Sequence, residues 1–329
     1  MKITILGSGA WGTSLAHVFA DNGHQVLIYG IEEAFNVINT THISPIYPDK
    51  ILSDKISFTT VLDENTLDCD VLVFSVPSKA YRSVARSVNS LLQKKTYIVS
   101  TAKGFDPDTQ ERLSSVLRSE IQAEKRHEIV SLIGPSYASE VMADLITAVS
   151  AVCISEDDAK FVQKVLSNEK FRIYTNTDEI GCECSAALKN VIAIASGIVD
   201  GMKQGSNARA ALVTRGIAEI KRFSLAMGSK EDSFLGLTGI GDLMLTCNSM
   251  QSRNFYIGHE IGRLDDAEIV LQQSTSTTEG VFTSKFAYLL SQKLNIEMPI
   301  TEACYLILFE GLKPSEMLPI LMNRTLKAE

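Results

Sequence analysis

Residues 2–12 read KITILGSGAWG: a β-branched, leucine-ended run followed by glycines at positions 7, 9 and 12. On its own, G-x-G-x-x-G is a weak signal. Here a strand-like run precedes it, and a helix-forming segment from Trp11 to Asn22 follows, ended by Gly23 in the position of a C′ glycine. A second strand-like run, 25–29, then leads to the acidic pair Glu32 and Glu33. That context is the requirement for a dinucleotide-binding turn. Gly7 permits the tight turn, Gly9 lets the backbone approach a pyrophosphate, and Gly12 lets the helix pack on the sheet. The free amides at the helix start face the phosphates.

The runs 70–76, 96–101, 128–133 and 147–154 are nearly continuous apolar stretches. Such runs suit strands buried on both faces. Helical stretches lie between several of them, and Asp106-Pro107 reads as an N-cap with proline at the first helical position. This pattern predicts a parallel sheet with helices on both faces. After about residue 178 the strand-like runs cease. Long helical segments take over at 182–203, 207–227, 279–293 and 300–310, with Ser206 or Asn207 as a cap and Gly228 as a terminator. The expected division is 1–178 and 179–329.

The chain has 329 residues, 45% of them hydrophobic and 21% charged, the balance of a soluble globular protein. A net charge of −8 argues against a general nucleic-acid binder. It leaves room for an anionic substrate, because a pocket can be locally positive. The N-terminal apolar run is too short for a signal peptide, and no stretch approaches the roughly 18 unbroken apolar residues of a spanning helix. A cytoplasmic location without membrane insertion is therefore expected. Of the six cysteines only Cys182 and Cys184 are close, and no second pair or nearby histidine accompanies them. No metal site is expected; reduced, packed thiols are.

Lys189 stands in the middle of a segment, 183–200, that is apolar almost all round. Such a helix is buried, and a buried ammonium needs a partner or a use. Asp200, eleven residues on, shares its face without reaching it. Lys103 follows the run 96–101, and Gly134-Pro-Ser136 follows 128–133, with Ser136 able to open a helix. Both sit where ligands bind in open parallel sheets, although lysines at strand ends are common surface residues. A third cluster comprises Asp242, preceded by Gly239 and Gly241, then Ser252, Arg253 and Asn254. Arginine offers a planar fork for phosphate and the neighbours offer neutral hydrogen bonds. The plainer alternative is a helix capped by Ser252 with an exposed arginine.

Taken in order, GSGAWGT, STAKG, IGPSYA, ALKNVIAIASGIVDG, NARAALVTRGIAE, GLTGIGDLMLTC, NSMQSRN, TTEG and MPITEACY resemble the glycerol-3-phosphate dehydrogenase family. They span residues 5 to about 305. The resemblance implies an α/β Rossmann-like N-terminal domain with a parallel-rich sheet, an all-α substrate-binding C-terminal domain, and an active site between them. It implies Lys189 as the proton acceptor and Lys103 as a contact of both cofactor and substrate. Gly134, Ser136, Asp242, Ser252, Arg253 and Asn254 take the substrate positions. Gly7, Gly9, Ala10, Trp11, Gly12, Ala138, Arg253 and Glu279 take the cofactor positions. Ile31 departs from a common basic or histidine side chain, Thr277-Thr278 from valines before Glu279, and Ser136 from a threonine.

The function so implied is interconversion of sn-glycerol 3-phosphate and dihydroxyacetone phosphate with NAD or NADP, supplying glycerol 3-phosphate for phospholipid synthesis. Lys189, its pKa lowered by burial and by the cation Lys103, would take the hydroxyl proton in oxidation and return it in reduction. Glu32 and Glu33 favour NAD if either binds the ribose 2′-hydroxyl, and nothing if they are solvated loop charges. A related dehydrogenase of a small hydroxy acid, or a dinucleotide sensor without chemistry, are the competing readings. A small phosphate-bearing molecule is the expected partner, and a homodimer the default assembly.

Overall fold

β1 (Lys2–Leu6) lies inside an eight-stranded sheet, and its residues account for that place. Ile3 and Ile5 pack in one apolar layer and Leu6 in the other, so both faces are covered. β2 (Gln25–Tyr29) pairs with it in parallel, Leu6 opposite Tyr29. β3 (Ile43–Ser44) and β4 (Tyr47–Ile51) form a separate antiparallel ribbon, and β5 (Ile56–Thr59) extends the main sheet beyond β2. On the other side of β1 come β6 (Val71–Phe74), β7 (Tyr97–Ser100) and β8 (Val130–Ile133), all parallel. β9 (Thr147–Val152) runs antiparallel to β8, and β10 (Phe171–Asn176) runs alongside β9. The order is β10-β9-β8-β7-β6-β1-β2-β5. This computed structural model describes residues 1–274 and 278–326. Thr277, one of the departures noted above, lies outside the described residues.

The sheet is thus parallel-rich, with its last two strands reversed. β5 and β10 lack continuous apolar runs because they are edge strands. Along β10 buried and exposed residues alternate, Phe171 and Ile173 in and Arg172 and Tyr174 out. An edge strand with one wetted face carries a period of two, not an unbroken run.

The helices of this unit are α1 (Ala10–Asp21), α2 (Ile38–Thr41), α3 (Tyr81–Leu91), α4 (Leu113–Glu120), α5 (Ala138–Met142) and α6 (Glu156–Leu166). α1 ends as expected, Gly23 taking φ 86° beyond the cap. Asp106-Pro107 does not open a helix; α4 begins at Leu113, with Arg112 at the N-cap position and no side-chain cap. The Asp106 carboxylate accepts from Arg82 and Thr109 instead, and Gln110 closes a turn onto the Asp106 carbonyl. A side chain engaged elsewhere is not free to cap.

From β1 the chain moves outward to β2 and β5, then returns to place β6 on the opposite flank of β1. The loops leaving the carboxyl ends of β1 and β6 therefore diverge, which is where such sheets bind ligands.

The chain divides into two compact units, Met1–Glu179 and Ile180–Glu329. The second is helical: α7 (Glu179–Gly201), α8 (Gly205–Ala226), α9 (Asp242–Thr246), α10 (Arg253–Leu264), α11 (Ala267–Gln273), α12 (Glu279–Leu294), α13 (Pro299–Phe309) and α14 (Pro314–Met322). No strand occurs among its described residues. α7 is long and apolar enough to cross a membrane, yet its most apolar window is wholly buried, the setting of a core helix. Neither Ser206 nor Asn207 caps α8. Lys203 and Gly205 at φ 58° and 85° turn the chain sharply, so that the helix starts sooner and Gln204 is its cap. Gly228 ends it at φ 98°.

Candidate active site

The glycine loop follows β1 directly. Gly7 donates to the Tyr29 carbonyl at 2.8 Å and adopts φ 122°, and a Cβ there would lie 2.5 Å from the Ser75 carbonyl oxygen at the end of β6. A Cβ at Gly12 would lie 2.1 Å from the Gly7 carbonyl oxygen. Gly12 is thus small chiefly for the loop's own sake, and only secondarily for packing on the sheet, where Ser75 Oγ is 3.3 Å away. Gly9 differs: nothing lies within 4 Å of its Cβ position. Gly9 and Ala10 are exposed, Trp11 half-buried, and the start of α1 has no side-chain cap. An uncapped helix start over open space suits the phosphates of a dinucleotide. Ile31, at 84% exposure, and the exposed Glu32 and Glu33 follow β2.

Lys103 and Gly134 leave the neighbouring strands β7 and β8, and the structure joins them. Lys103 Nζ donates to the Gly134 carbonyl at 2.7 Å, and Ser136 Oγ donates to the same oxygen at 3.1 Å. A Cβ at Gly134 would lie 2.8 Å from Val149 Cα on β9. Ser136 therefore turns back on its own loop, and the cap of α5 is Tyr137. The carbonyl of Ala138, the first residue of α5, accepts from Ser14 Oγ on α1 at 2.8 Å. That bond ties Ala138 to the helix that carries the glycine loop.

In the second unit Lys189 is 5% exposed on α7. Its ammonium donates to Asp242 Oδ1 and to Thr246 Oγ1, each at 2.7 Å. A π-turn, Leu237–Gly241, leads into α9. Gly239 fits there because a Cβ would meet the Phe234 carbonyl oxygen at 2.2 Å. Asp242 and Thr246 lie four residues apart and so share one face of α9. Thr246 Oγ1 in turn donates to the Asp242 carbonyl at 2.6 Å. The neighbouring Cys247 thiol is pushed up to about 12 by burial, which makes it inert packing. Asp200 does not reach Lys189; it pairs with Arg209 and with His259 Nδ1.

Ser252 caps α10, its Oγ accepting from the Phe255 amide at 3.3 Å, and the exposed Arg253 opens the helix. The plainer alternative thus describes the local geometry, and it does not prevent an exposed arginine from meeting a phosphate. Asn254 Oδ1 accepts from the Gly280 amide at 3.0 Å, which fixes the start of α12 and its first residue, Glu279. A Cβ at Gly280 would lie 2.7 Å from the Asn190 carbonyl oxygen, so α7, α10 and α12 converge beside Lys189. Gly197 and Gly201 of α7 face Gly258 and Gly262 of α10. Each of the four would put a Cβ within 2.1 Å of a carbonyl oxygen on the facing helix. Backbone contact at this crossing sets where Asn254 and Arg253 stand.

The sequence alone did not single out Thr246, although its i, i+4 relation to Asp242 was an available signal. Among the described residues His17, Asp21 and Asp144 present ligand-type atoms within 4.8 Å of one another. Lys50 already pairs with Asp144 at 2.7 Å, and His17 Nδ1 lacks the partner a metal-bound ring would use. The group reads as an ion-pair network.

Comparison with known proteins bears on both units. Residues 2–160 match the family described as NAD-dependent glycerol-3-phosphate dehydrogenase N-terminus, and residues 178–319 match the corresponding C-terminus. A glycerol-3-phosphate dehydrogenase (NAD(P)+) of Listeria monocytogenes serotype 4b is 44% identical over 330 residues, covering 100% of this chain and 98% of the relative. One from Enterococcus faecalis is also 44% identical, covering 100% and 97%. The crystal structure of glycerol-3-phosphate dehydrogenase from Coxiella burnetii superposes with a TM-score of 0.90 at 35% identity, covering 98% of this chain and 99% of that one.

Proposed function

The chain belongs to the NAD-dependent glycerol-3-phosphate dehydrogenase family, and on that premise we propose how its residues carry the NAD(P)-linked interconversion of sn-glycerol 3-phosphate and dihydroxyacetone phosphate. When bound, the nicotinamide supplies the hydride or receives it. Gly7, Gly9, Ala10, Trp11 and Gly12 hold the cofactor's pyrophosphate, with Ala138, Glu279, Lys103 and Arg253 as further cofactor contacts. The open face of Gly9 supports this assignment.

Lys189 is the acid–base group, and its burial beside Asp242 and Thr246 is the observation that carries the reading. In reduction the ammonium gives its proton to the oxygen that was the ketone. In oxidation the amine takes the proton of the secondary hydroxyl. Oxidation uses the neutral amine and reduction the ammonium, so the two directions depend on pH in opposite senses. Arg253 grips the substrate phosphate, and remote binding energy of that kind orients the reacting carbon. Ser252, Asn254, Gly134, Ser136 and Lys103 complete the substrate set. The glycerol 3-phosphate formed feeds phospholipid synthesis. We place the enzyme in the cytoplasm, as a homodimer on the general prevalence of twofold assemblies; the buried α7 supports a protein without membrane insertion.

The test is to mix purified protein with dihydroxyacetone phosphate and either NADH or NADPH and follow the reduced-nicotinamide absorbance. Oxidation is expected with both, faster with NADH, because no basic side chain stands at Ile31, Glu32 or Glu33 to pair a 2′-phosphate. Ile31→Arg should then raise kcat/KM for NADPH by about tenfold, the worth of one charge-assisted contact. Silence with both cofactors, in protein that binds NADH, would remove the substrate assignment.

A further inference from the structure

We propose that Tyr81 and Arg82, in the first turn of α3, are positioning residues for Lys103, clamping the chain on either side of it. The inference rests on the reading of Lys103 as a substrate and cofactor contact.

Tyr81 has no solvent exposure, so it touches no ligand itself. Its ring packs against Phe74, centroids 5.6 Å apart. Its hydroxyl donates to the Phe74 carbonyl at 3.0 Å and lies 3.1 Å from Ser100 Oγ. Those are the last residues of β6 and β7. Beyond them the same hydroxyl accepts from the Ala102 amide at 3.0 Å and the Thr101 amide at 3.3 Å. One hydroxyl thus gathers two strand ends and the two residues leading into Lys103. A phenol can donate once and accept twice, and here that capacity is used on backbone.

Arg82 holds the far side. Its Nε and Nη2 reach Asp106 Oδ2 at 3.1 and 2.7 Å, and Nη2 reaches Thr109 Oγ1 and Glu111 Oε2, each at 2.9 Å. Asp106 is 2% exposed. Burial pushes its carboxyl up, but Thr109 and Arg82 together hold it below the usual range, so the pair stays ionised. Residues 101–102 and 106 are therefore pinned to adjacent positions of one helix. Lys103 lies between, and its ammonium is aimed at the Gly134 carbonyl. A lysine on a loop of this length would otherwise sample many positions, and a misplacement of about 1 Å can cost a hundredfold in rate.

The test is a double-mutant cycle on the full-length enzyme, with dihydroxyacetone phosphate and NADH, using Tyr81→Phe, Lys103→Ala and the two combined. Lys103→Ala should lower kcat/KM at least a hundredfold. Tyr81→Phe keeps the ring and should lower kcat/KM about tenfold, yet cost less than twofold once Lys103 is already alanine. Arg82→Lys, which keeps the charge but loses the planar fork, should behave the same way and serves if Tyr81→Phe does not fold. Equal losses in both backgrounds would overturn the proposal, since the tyrosine would then act elsewhere. So would losses under twofold from both Tyr81→Phe and Arg82→Lys with Lys103→Ala crippled. A fully active Lys103→Ala enzyme would overturn the reading of Lys103 and the proposal with it.

Discussion

Lys189 Nζ and Asp242 Oδ1 lie 2.7 Å apart, joined across 53 residues of sequence, with side-chain exposures of 6% and 1%. An ion pair so withdrawn from water is costly to assemble and contributes little to stability over an apolar pair of the same size. Its presence accords with the acid–base role proposed for the ammonium. Thr246 fixes its second contact, so the lysine head is held by two groups from one turn of α9.

Lys189→Met keeps the length of the side chain and removes the proton. We expect kcat to fall by about a thousandfold or more, the usual scale of general acid–base catalysis. NADH affinity, followed by fluorescence titration, should stay near that of the unaltered enzyme. Retention of more than a tenth of the activity would sink the assignment.

Removing the other partner should cost stability as well as rate. Asp242→Asn leaves the ammonium buried without its countercharge, a loss of about 3–5 kcal/mol. Thr246→Val removes an uncharged acceptor of the ammonium, a loss of about 1.5–3 kcal/mol. Urea unfolding should rank the two in that order, and equal midpoints would show that water replaces the carboxylate.

Gly9 and Gly12 should fail in different ways. Gly12→Ala drives a methyl into the Gly7 carbonyl oxygen, and overpacking of this kind costs about 1–3 kcal/mol. Gly9→Ala meets nothing within 4 Å and sits at φ −64°, so thermal stability should hold while NADH binding weakens. A Gly9→Ala enzyme with unaltered NADH affinity would move the pyrophosphate elsewhere.

Glu219 on α8 predicts a pH dependence of stability. It is 1% exposed and accepts from the Ile300 amide at 2.6 Å and from the Thr301 amide and hydroxyl at the start of α13. Burial, the largest influence, nevertheless pushes its carboxyl up to about 7. The folded state thus holds this proton more tightly than the unfolded chain, whose glutamates titrate near about 4.3. The contribution to stability is full below that value and is lost as pH rises towards about 7. Stability relative to Glu219→Gln should fall from pH 5 to 7, by at most about 1.4 kcal/mol per pH unit, and level off above. A difference flat over that window would mean that the helix amides outweigh burial.

Much of this was written locally. The run 2–12 and its glycines set a strand, a turn and a helix, because each needs only near neighbours in the chain: β-branched residues for the strand, φ 122° at Gly7 for the turn. The unbroken apolar runs marked interior strands, and the apolar surroundings of Lys189 marked it as a buried charge in need of a reason. Edge strands β5 and β10 were hidden by their alternation, and Asp106-Pro107 misled because a local cap signal cannot know that Arg82 will claim the carboxylate.

What only the tertiary structure decided is which groups meet. No spacing rule pairs Lys189 with Asp242 and Thr246 rather than with Asp200 on its own helix. That choice follows from the packing of α7 against α9. Nor does any local pattern bring the Tyr81 hydroxyl to the amides beyond β7, since that contact depends on where α3 settles on the sheet. Propensities and turn chemistry act over a few residues and can be read in order along the chain. Partner choice for a buried polar group is made by whichever donor the folded core delivers to it, and that is a property of the whole.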